Sequence, residues 1–279
     1  MKKFFIKDII DYKKRGEKFS TITAYDYLSS KLVSSSGFPL ILVGDSASMV
    51  VFGYNDTTPI SMDEMVFVLR AVVRGSSGPV IVADMPFMSY QPSLEEAIKN
   101  AGTFIKEGAN AVKVEGAESP TLNKIRHFVS SGIPVVGHIG LMPQSVNITS
   151  GYSVQGKTRA HAKKLLEDAI KLEDSGIFCL VLEGVPAQVA ELITKKIRVP
   201  TIGIGSGPFC DGQIQVFHDL MGLDKNFLPK HAKKFLDGFG ALSSALKEYA
   251  NSVADGSFPS NENYTCIENS ILKNISEDN

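Results

Sequence analysis

Tryptophan is absent from the 279-residue chain, and cysteine occurs only at Cys179, Cys210 and Cys266. These cysteines are far apart and form no CxxC pair. That spacing predicts reduced structural thiols in a cytoplasmic protein, and no cysteine or clustered histidine pair supports a zinc site. Excess charge is lacking too. The formal net charge is -1, so nothing general selects nucleic acid or an acidic membrane as a partner. No apolar run approaches the ~18 residues that a membrane-spanning helix needs. The opening MKKFFIKDII begins like a signal peptide, but Lys7 and Asp8 break the apolar run and no small-residue cleavage site follows. Phe4, Phe5, Ile9 and Ile10 instead predict a short amphipathic N-terminal helix that packs on the domain.

What the chain does contain is an ordinary globular balance, 43% hydrophobic and 21% charged residues, without sequence repeat, low-complexity tract or obvious interdomain linker. Short runs rich in Val and Ile recur with helical patterns between them. The expected strands are Ser20–Tyr25, Leu40–Gly44, Pro79–Met85, Ala111–Glu115, Ile133–His138, Phe178–Glu183, Pro200–Gly205 and Ile214–His218. Most lack clean polar alternation, as strands buried on both faces do. Helix signals fill the gaps. Ser61 with Glu64 and Ser93 with Glu96 read as capping boxes. Ser119 before Pro120 reads as an N-cap followed by a first-turn proline. Ala162, Leu165, Leu166 and Ala169 fall on one helical face. About eight strands alternating with helices over about 250 residues predict a (β/α)8 TIM barrel, with a doubly wound open sheet as competitor. Residues 1–265 are expected to form a single barrel domain and 266–279 a polar tail.

In either architecture, functional sites lie beyond the carboxyl ends of the strands. Strand two ends in Asp45 and Ser46, strand three in Asp84, strand four in Lys113 and Glu115, strand five in His138 and strand six in Glu183. One such residue alone reads as a helix cap or turn. Charged groups at five successive strand ends read as an active site at one barrel mouth. Positions i and i+2 of a strand share a face, so Ala111, Lys113 and Glu115 point together into the barrel while Val112 and Val114 face the helices. Burying that Lys and Glu is costly without partners. An internal ion pair is one compensation, and a metal with an anionic ligand is another. Asp45, Asp84 and Glu115 make an oxygen-only cluster suited to a hard cation such as Mg²⁺. Glu183 stands apart as a candidate general base or as a cap for a helix starting near Pro186. The turn GIGSG, Gly203 to Gly207, reads either as a phosphate cradle or as a tight turn. The long connection from Ile139 to Lys157 reads either as a lid or as a surface excursion.

The segments VGDSASMVVFG, ADMPFMSY, AVKVEG, GHIGLMPQ, LVLEGVP and TIGIGSGPFCDGQIQVFHD occur in that order. Together they resemble the ketopantoate hydroxymethyltransferase family from about Thr21 to Tyr264. The chain departs from that pattern at Ala47 and Ser48, where Leu-Gly is usual, at Met142, where Thr is usual, and at Ser206, where Ala is common. None of these positions is a proposed ligand. The resemblance implies a (β/α)8 barrel, a homodecamer and one-carbon transfer in pantothenate biosynthesis, with the carbon passing from 5,10-methylenetetrahydrofolate to 3-methyl-2-oxobutanoate. It matches Asp45, Asp84 and Glu115 to a Mg²⁺ site, and Asp45, Ser46, Asp84 and Lys113 to substrate contacts. It matches Glu183 to the proton acceptor, and His138 stands as a candidate neighbour that orients these groups.

Competing readings remain open at this point. A Mg²⁺-dependent enzyme of the phosphoenolpyruvate mutase/lyase type would also bind a 2-oxo acid on a carboxylate-held metal. A metal-free aldolase would use Lys113 as a Schiff-base nucleophile, although Glu115 beside it favours the protonated, unreactive amine. A non-catalytic barrel that senses an oxo acid would not need Glu183, and a purely structural assembly protein would leave the charged strand ends unexplained.

Overall fold

All eight apolar runs form strands. In the computed structural model, which describes residues 2–145, 155–269 and 272, they are β1 (Phe19–Thr23), β2 (Leu40–Val43), β3 (Val80–Asp84), β4 (Ala111–Glu115), β5 (Val135–Gly140), β6 (Cys179–Glu183), β7 (Thr201–Ile204) and β8 (Gly212–Gln215). The strands run parallel in chain order, and β8 pairs with β1 to close a barrel. The architecture is the (β/α)8 barrel rather than the open sheet. The eighth strand begins two residues before the expected Ile214 and ends at Gln215, because Phe217 and His218 open a helix instead.

Residue alternation sorts the core into two shells. Leu40, Leu42, Val80, Val82, Ala111, Val136, Cys179, Val181, Ile202 and Ile214 pack together in one buried cluster, the barrel interior. Their neighbours Ile41, Val43, Ile81, Ala83, Val112, Val114, Leu180 and Leu182 belong to the second cluster, against the helices. Strands covered on both faces therefore show no polar alternation in their sequence.

The helices around the barrel are α1 (Ile6–Arg15), α2 (Tyr27–Ser35), α3 (Ala47–Val50), α4 (Met62–Gly75), α5 (Leu94–Lys106), α6 (Ser119–Ser130), α7 (Arg159–Asp174), α8 (Ala187–Lys196), α9 (Phe217–Met221) and α10 (Gly238–Ala254). Ser61 and Glu64 form the expected reciprocal box at the start of α4. Ser93 caps α5 by accepting from the Glu96 N–H, without a return bond from the Glu96 side chain. At α6 the N-cap is Glu118, one residue before the expected Ser119. No helix connects β7 to β8; a turn through Gly205 to Asp211 does so.

The expected N-terminal helix is present as α1, and it closes the amino end of the barrel. Ile9 is fully buried against the interior cluster that includes Phe19, Leu40 and Val80. The Lys13 Nζ locks the helix down by donating to the Thr194 carbonyl at 2.7 Å and to Asp211 at 2.9 Å. Phe5 departs from expectation. It is exposed, because it precedes the first helical turn, where its N–H donates to Asp8. The opposite, carboxyl end of the barrel is left to the polar residues.

The last helix is unlike the others. Only Gly238 of α10 is buried, while Phe239, Leu242, Leu246, Tyr249 and Val253 are exposed along it. Part of the expected 266–279 tail lies outside the described residues, as does 146–154 within the Ile139–Lys157 connection. No helix among the described residues is long and apolar enough to cross a membrane.

Candidate active site

Asp84, Glu115 and Glu183 end their strands, Lys113 and His138 stand two residues before the ends of β4 and β5, and Asp45 and Ser46 follow β2 after Gly44. Gly44 turns the chain after β2; a Cβ there would stand 2.7 Å from the Ser46 Oγ, so a side chain would push that hydroxyl aside. Parallel pairing places Asp84 beside Lys113, Glu115 beside His138 and Gly140 beside Glu183. The five polar strand ends thus become neighbours around one rim. Asp45, Asp84, Lys113, Glu115 and His138 are all buried, and the Glu183 side chain is 15% exposed.

Lys113 is the hub. Its Nζ donates to both oxygens of Asp84, at 2.7 and 2.8 Å, and stands 3.8 Å from Glu115 Oε1. His138 lies between two carboxylates, with Nδ1 3.3 Å from Glu115 Oε1 and Nε2 3.5 Å from Glu183 Oε2. Neither contact is aligned as a hydrogen bond, so both ring nitrogens and Glu115 Oε1 are buried without a hydrogen-bond partner. The Asp45 N–H donates to Asp84 Oδ2 at 3.3 Å. Ser46 Oγ pairs with the Tyr25 hydroxyl at 2.7 Å, which ties the end of β2 to the segment after β1.

Four carboxylates around one lysine cannot all ionise at equal cost. Burial, reinforced by the charge of Asp84, holds Asp45 well above the usual carboxylate range. Burial raises Asp84 as well, with Lys113 offsetting part of the effect. Glu115 goes the other way. Burial pushes it up, but His138, Lys113 and the Gln144 N–H together hold it below its ordinary value. Glu183 is pushed up to about 7 by burial, with His138 opposing and Glu115 adding to the rise. Burial alone would lower Lys113, but Asp84, Glu115 and Asp45 outweigh it and hold the ammonium above its ordinary pKa. A neutral amine for Schiff-base chemistry is therefore strongly disfavoured at this position.

Glu183 does not cap a helix. α8 starts at Ala187 after Pro186 with no side-chain cap, and the carboxylate turns toward His138 instead. GIGSG does not join the cluster either. Gly205 and Gly207 line a separate surface cleft with Lys18, Asp211 and His231. Ser206 braces that turn by donating to the Leu182 carbonyl and accepting from the Val185 N–H. Gly207 has a positive φ, and a Cβ there would stand 2.4 Å from that of Ala187. The turn is glycine-rich for close approach.

Two residues in the quoted motifs carry structure that charge counting misses. Gln144 donates from Nε2 to Asp45 Oδ2 at 2.9 Å and to the Met85 carbonyl at 2.8 Å, while its backbone N–H donates to Glu115 Oε2 at 3.2 Å. The buried Tyr90 hydroxyl accepts from the Glu115 N–H at 3.1 Å and faces the Glu115 carbonyl and Gln144 Oε1, each at 3.3 Å.

The donor set bears on a cation in two ways. Among the described residues no three Asp, Glu, His or Cys side chains converge on one metal position, and both oxygens of Asp84 accept from Lys113. Yet Asp45, Asp84 and Glu115 are buried oxygen donors at one mouth, and Glu115 Oε1 has no hydrogen-bond donor. A buried carboxylate oxygen that accepts no hydrogen bond fits a hard divalent cation.

The chain is 47% identical over 271 residues to 3-methyl-2-oxobutanoate hydroxymethyltransferase of Dehalococcoides mccartyi (strain CBDB1), covering 97% of each chain. It is 48% identical over 264 residues to the enzyme of the same name from Clostridium novyi (strain NT), covering 94% of this chain and 96% of that one. Among solved structures, phosphonopyruvate hydrolase in complex with oxalate and Mg²⁺ superposes with a TM-score of 0.61 at 14% identity, over 94% of this chain and 93% of that chain. 2,3-Dimethylmalate lyase, of the PEP mutase/isocitrate lyase superfamily, superposes with a TM-score of 0.57 at 14% identity, over 98% and 99% of the two chains. At such identities the likeness is one of fold. The family model for ketopantoate hydroxymethyltransferase matches residues 3–261, and with relatives this similar over nearly the whole length, the chain belongs to the ketopantoate hydroxymethyltransferase family of transferases.

Proposed function

We propose that this enzyme passes the one-carbon unit of 5,10-methylenetetrahydrofolate to C3 of 3-methyl-2-oxobutanoate, giving 2-dehydropantoate, with Mg²⁺ held by Asp45, Asp84 and Glu115. The observation that carries this reading is the pairing of a raised carboxylate, Glu183, with a protonated lysine inside one barrel mouth. A base near 7 suits removal of a weakly acidic proton beside a ketone. A divalent cation, when bound, supplies Lewis-acid polarisation of that ketone. The likeness in fold to a hydrolase that carries oxalate and Mg²⁺ is compatible with a small oxo acid and a divalent cation sharing such a mouth.

Each residue then has a task. Glu183 takes the C3 proton, which C3 does not recover because the new carbon–carbon bond replaces it; the proton passes to the departing tetrahydrofolate amine, and water supplies the hydroxyl of the transferred carbon. Lys113 offsets the negative charge of the oxo acid without acting as a nucleophile. Ser46 donates toward the substrate carboxylate, its orientation set by Tyr25. His138 orients Glu115 and Glu183, the two carboxylates it lies between. A cleft of about 290 Å³ lined by Gly116, Gly140, Met142 and His161 adjoins the ends of β4 and β5 and offers space for the folate donor. The exposed stripe on α10 supports a homo-oligomer, with a second copy of this chain as the partner and a decamer as the family's form.

The test is deuterium exchange at C3 of 3-methyl-2-oxobutanoate without folate. Exchange is expected to require Mg²⁺, and to fall by about 10²- to 10⁴-fold in Glu183→Gln, the range for loss of a general base. Unchanged exchange in that variant would assign the base elsewhere. Exchange that survives chelation would remove the metal from the reaction, and trapping of Lys113 by borohydride would restore the Schiff-base reading.

A further inference from the structure

Gln144 is buried where three strand ends meet, yet it is neutral and cannot itself be an acid or base. Its side-chain nitrogen uses both protons, one on Asp45 Oδ2 beyond β2 and one on the Met85 carbonyl beyond β3. Its backbone N–H occupies Glu115 Oε2 on β4. On the acceptor side, Gln144 Oε1 faces the Tyr90 hydroxyl at 3.3 Å and the Gln91 Nε2 at 3.4 Å. The amide is therefore fixed at both ends, and its orientation is set by partners of opposite type.

This arrangement divides the oxygens of Glu115. Oε2 is held by the Gln144 N–H, and Oε1 is the atom left without a donor. Asp45 is likewise held by one oxygen. We propose that Gln144 is a positioning residue that fixes Asp45 and Glu115, through one oxygen of each, in the orientation that receives a divalent cation. The inference rests on the cation site described above and adds to it a residue that touches neither cation nor substrate.

An amide is needed here for a physical reason. Asp45 Oδ2 and the Met85 carbonyl are both acceptors, so only a two-proton donor can bridge them. Gln144→Met keeps length and apolar bulk but removes both protons, which frees the Asp45 carboxylate to rotate and leaves the Met85 carbonyl unpaired. Partners that orient metal ligands typically change affinity by about 10- to 100-fold when removed.

The test measures Mn²⁺ binding by electron paramagnetic resonance on the intact enzyme without substrate, for wild type, Gln144→Met, Asp45→Asn and Asn100→Ala. Asn100→Ala removes a bond to the Ser89 carbonyl in the same β3–α5 connection without touching a carboxylate, so it controls for general loosening. The expected result is that wild type and Asn100→Ala bind alike within about twofold, Asp45→Asn binds poorly, and Gln144→Met loses about 10- to 100-fold with an unchanged far-UV circular dichroism spectrum. In turnover assays the Mg²⁺ activation constant of Gln144→Met rises more than its KM for the oxo acid. Wild-type affinity in a folded Gln144→Met overturns the positioning role and leaves the cation site standing. Absence of Mn²⁺ binding by wild type overturns both. If Gln144→Met does not fold, Gln144→Ala in the presence of a stabilising osmolyte carries the same comparison, and retained affinity there overturns the role equally.

Discussion

Asp45, Asp84, Glu115 and Glu183 are chemically similar groups that the barrel mouth drives to different protonation behaviour. Glu115 is held ionised by its neighbours, whereas Glu183 is raised to about 7 by burial. A base works when deprotonated, so kcat/KM is expected to rise with pH through about 7 and level off above it. The limb should disappear in Glu183→Gln, and a pH–rate profile checks this. The same shift has a stability consequence. Folded Glu183 keeps its proton up to about 7 while the unfolded chain releases it near 4.5. The folded state binds more protons between those values, so stability is lost as pH rises from about 4.5 through 7. Glu183→Gln removes that penalty and should stabilise the protein by about 1–3 kcal/mol at pH 8 and little at pH 4, measured by urea unfolding. Lys113→Met should cost about 3–5 kcal/mol, because it leaves Asp84 buried without its counter-ion. A loss of unfolding free energy below about 1 kcal/mol in urea titration would contradict the hub role of Lys113.

At the scale of elements, the site depends on strand ends being held in register, and α1 contributes from the far end of the barrel. Ile9 fills the interior at the amino end, so Ile9→Ala should destabilise by about 2–5 kcal/mol, whereas Phe5→Ser, at an exposed position, should change stability by less than about 0.5 kcal/mol. Chemical denaturation of the two variants side by side checks the contrast. Both residues are apolar positions of one amphipathic segment, and sequence pattern treats them alike. What separates them is where the helix begins: Phe5 lies before the first turn, and the helical face that reaches the barrel starts with Ile6 and Ile9. The shift of β8 has a similar origin. Ile214 was legible as a strand residue, but Gly212 and Gln213 carry no β signal of their own. They are recruited by pairing with Phe19 and Ser20 of β1, and Gly212 lies so close to the Phe19 ring that a Cβ would stand 2.8 Å away.

At the scale of the whole molecule, the exposed side of α10 is the largest departure from a self-contained barrel. Phe239, Leu242, Leu246, Tyr249 and Val253 repeat at three- and four-residue intervals, the spacing of a helix–helix seam, and all are exposed. Leu242→Glu combined with Leu246→Glu should therefore yield a smaller species in light scattering after size exclusion, without loss of helical content. An unchanged mass would overturn the proposed role of α10 as an oligomer seam.

While closure of the sheet by β8 on β1 came from the tertiary structure, the sequence by itself determined the alternation of about eight strands with helices, the strand that carries Lys113 and Glu115 on one face, and the presence of polar groups at successive strand ends. Those features depend on local period and order along the chain, which short-range chemistry writes directly into residue alternation. Only the tertiary structure decided that Asp84 turns onto Lys113, that His138 stands between Glu115 and Glu183, and that Glu183 rather than Glu115 carries the raised pKa. It also decided that Gln144, a neutral residue in a segment without periodicity, reaches Asp45, 99 positions away in sequence, and joins it to Met85 and Glu115. Such contacts depend on which strands become neighbours and how far burial removes water from them, and neither is encoded at any single position.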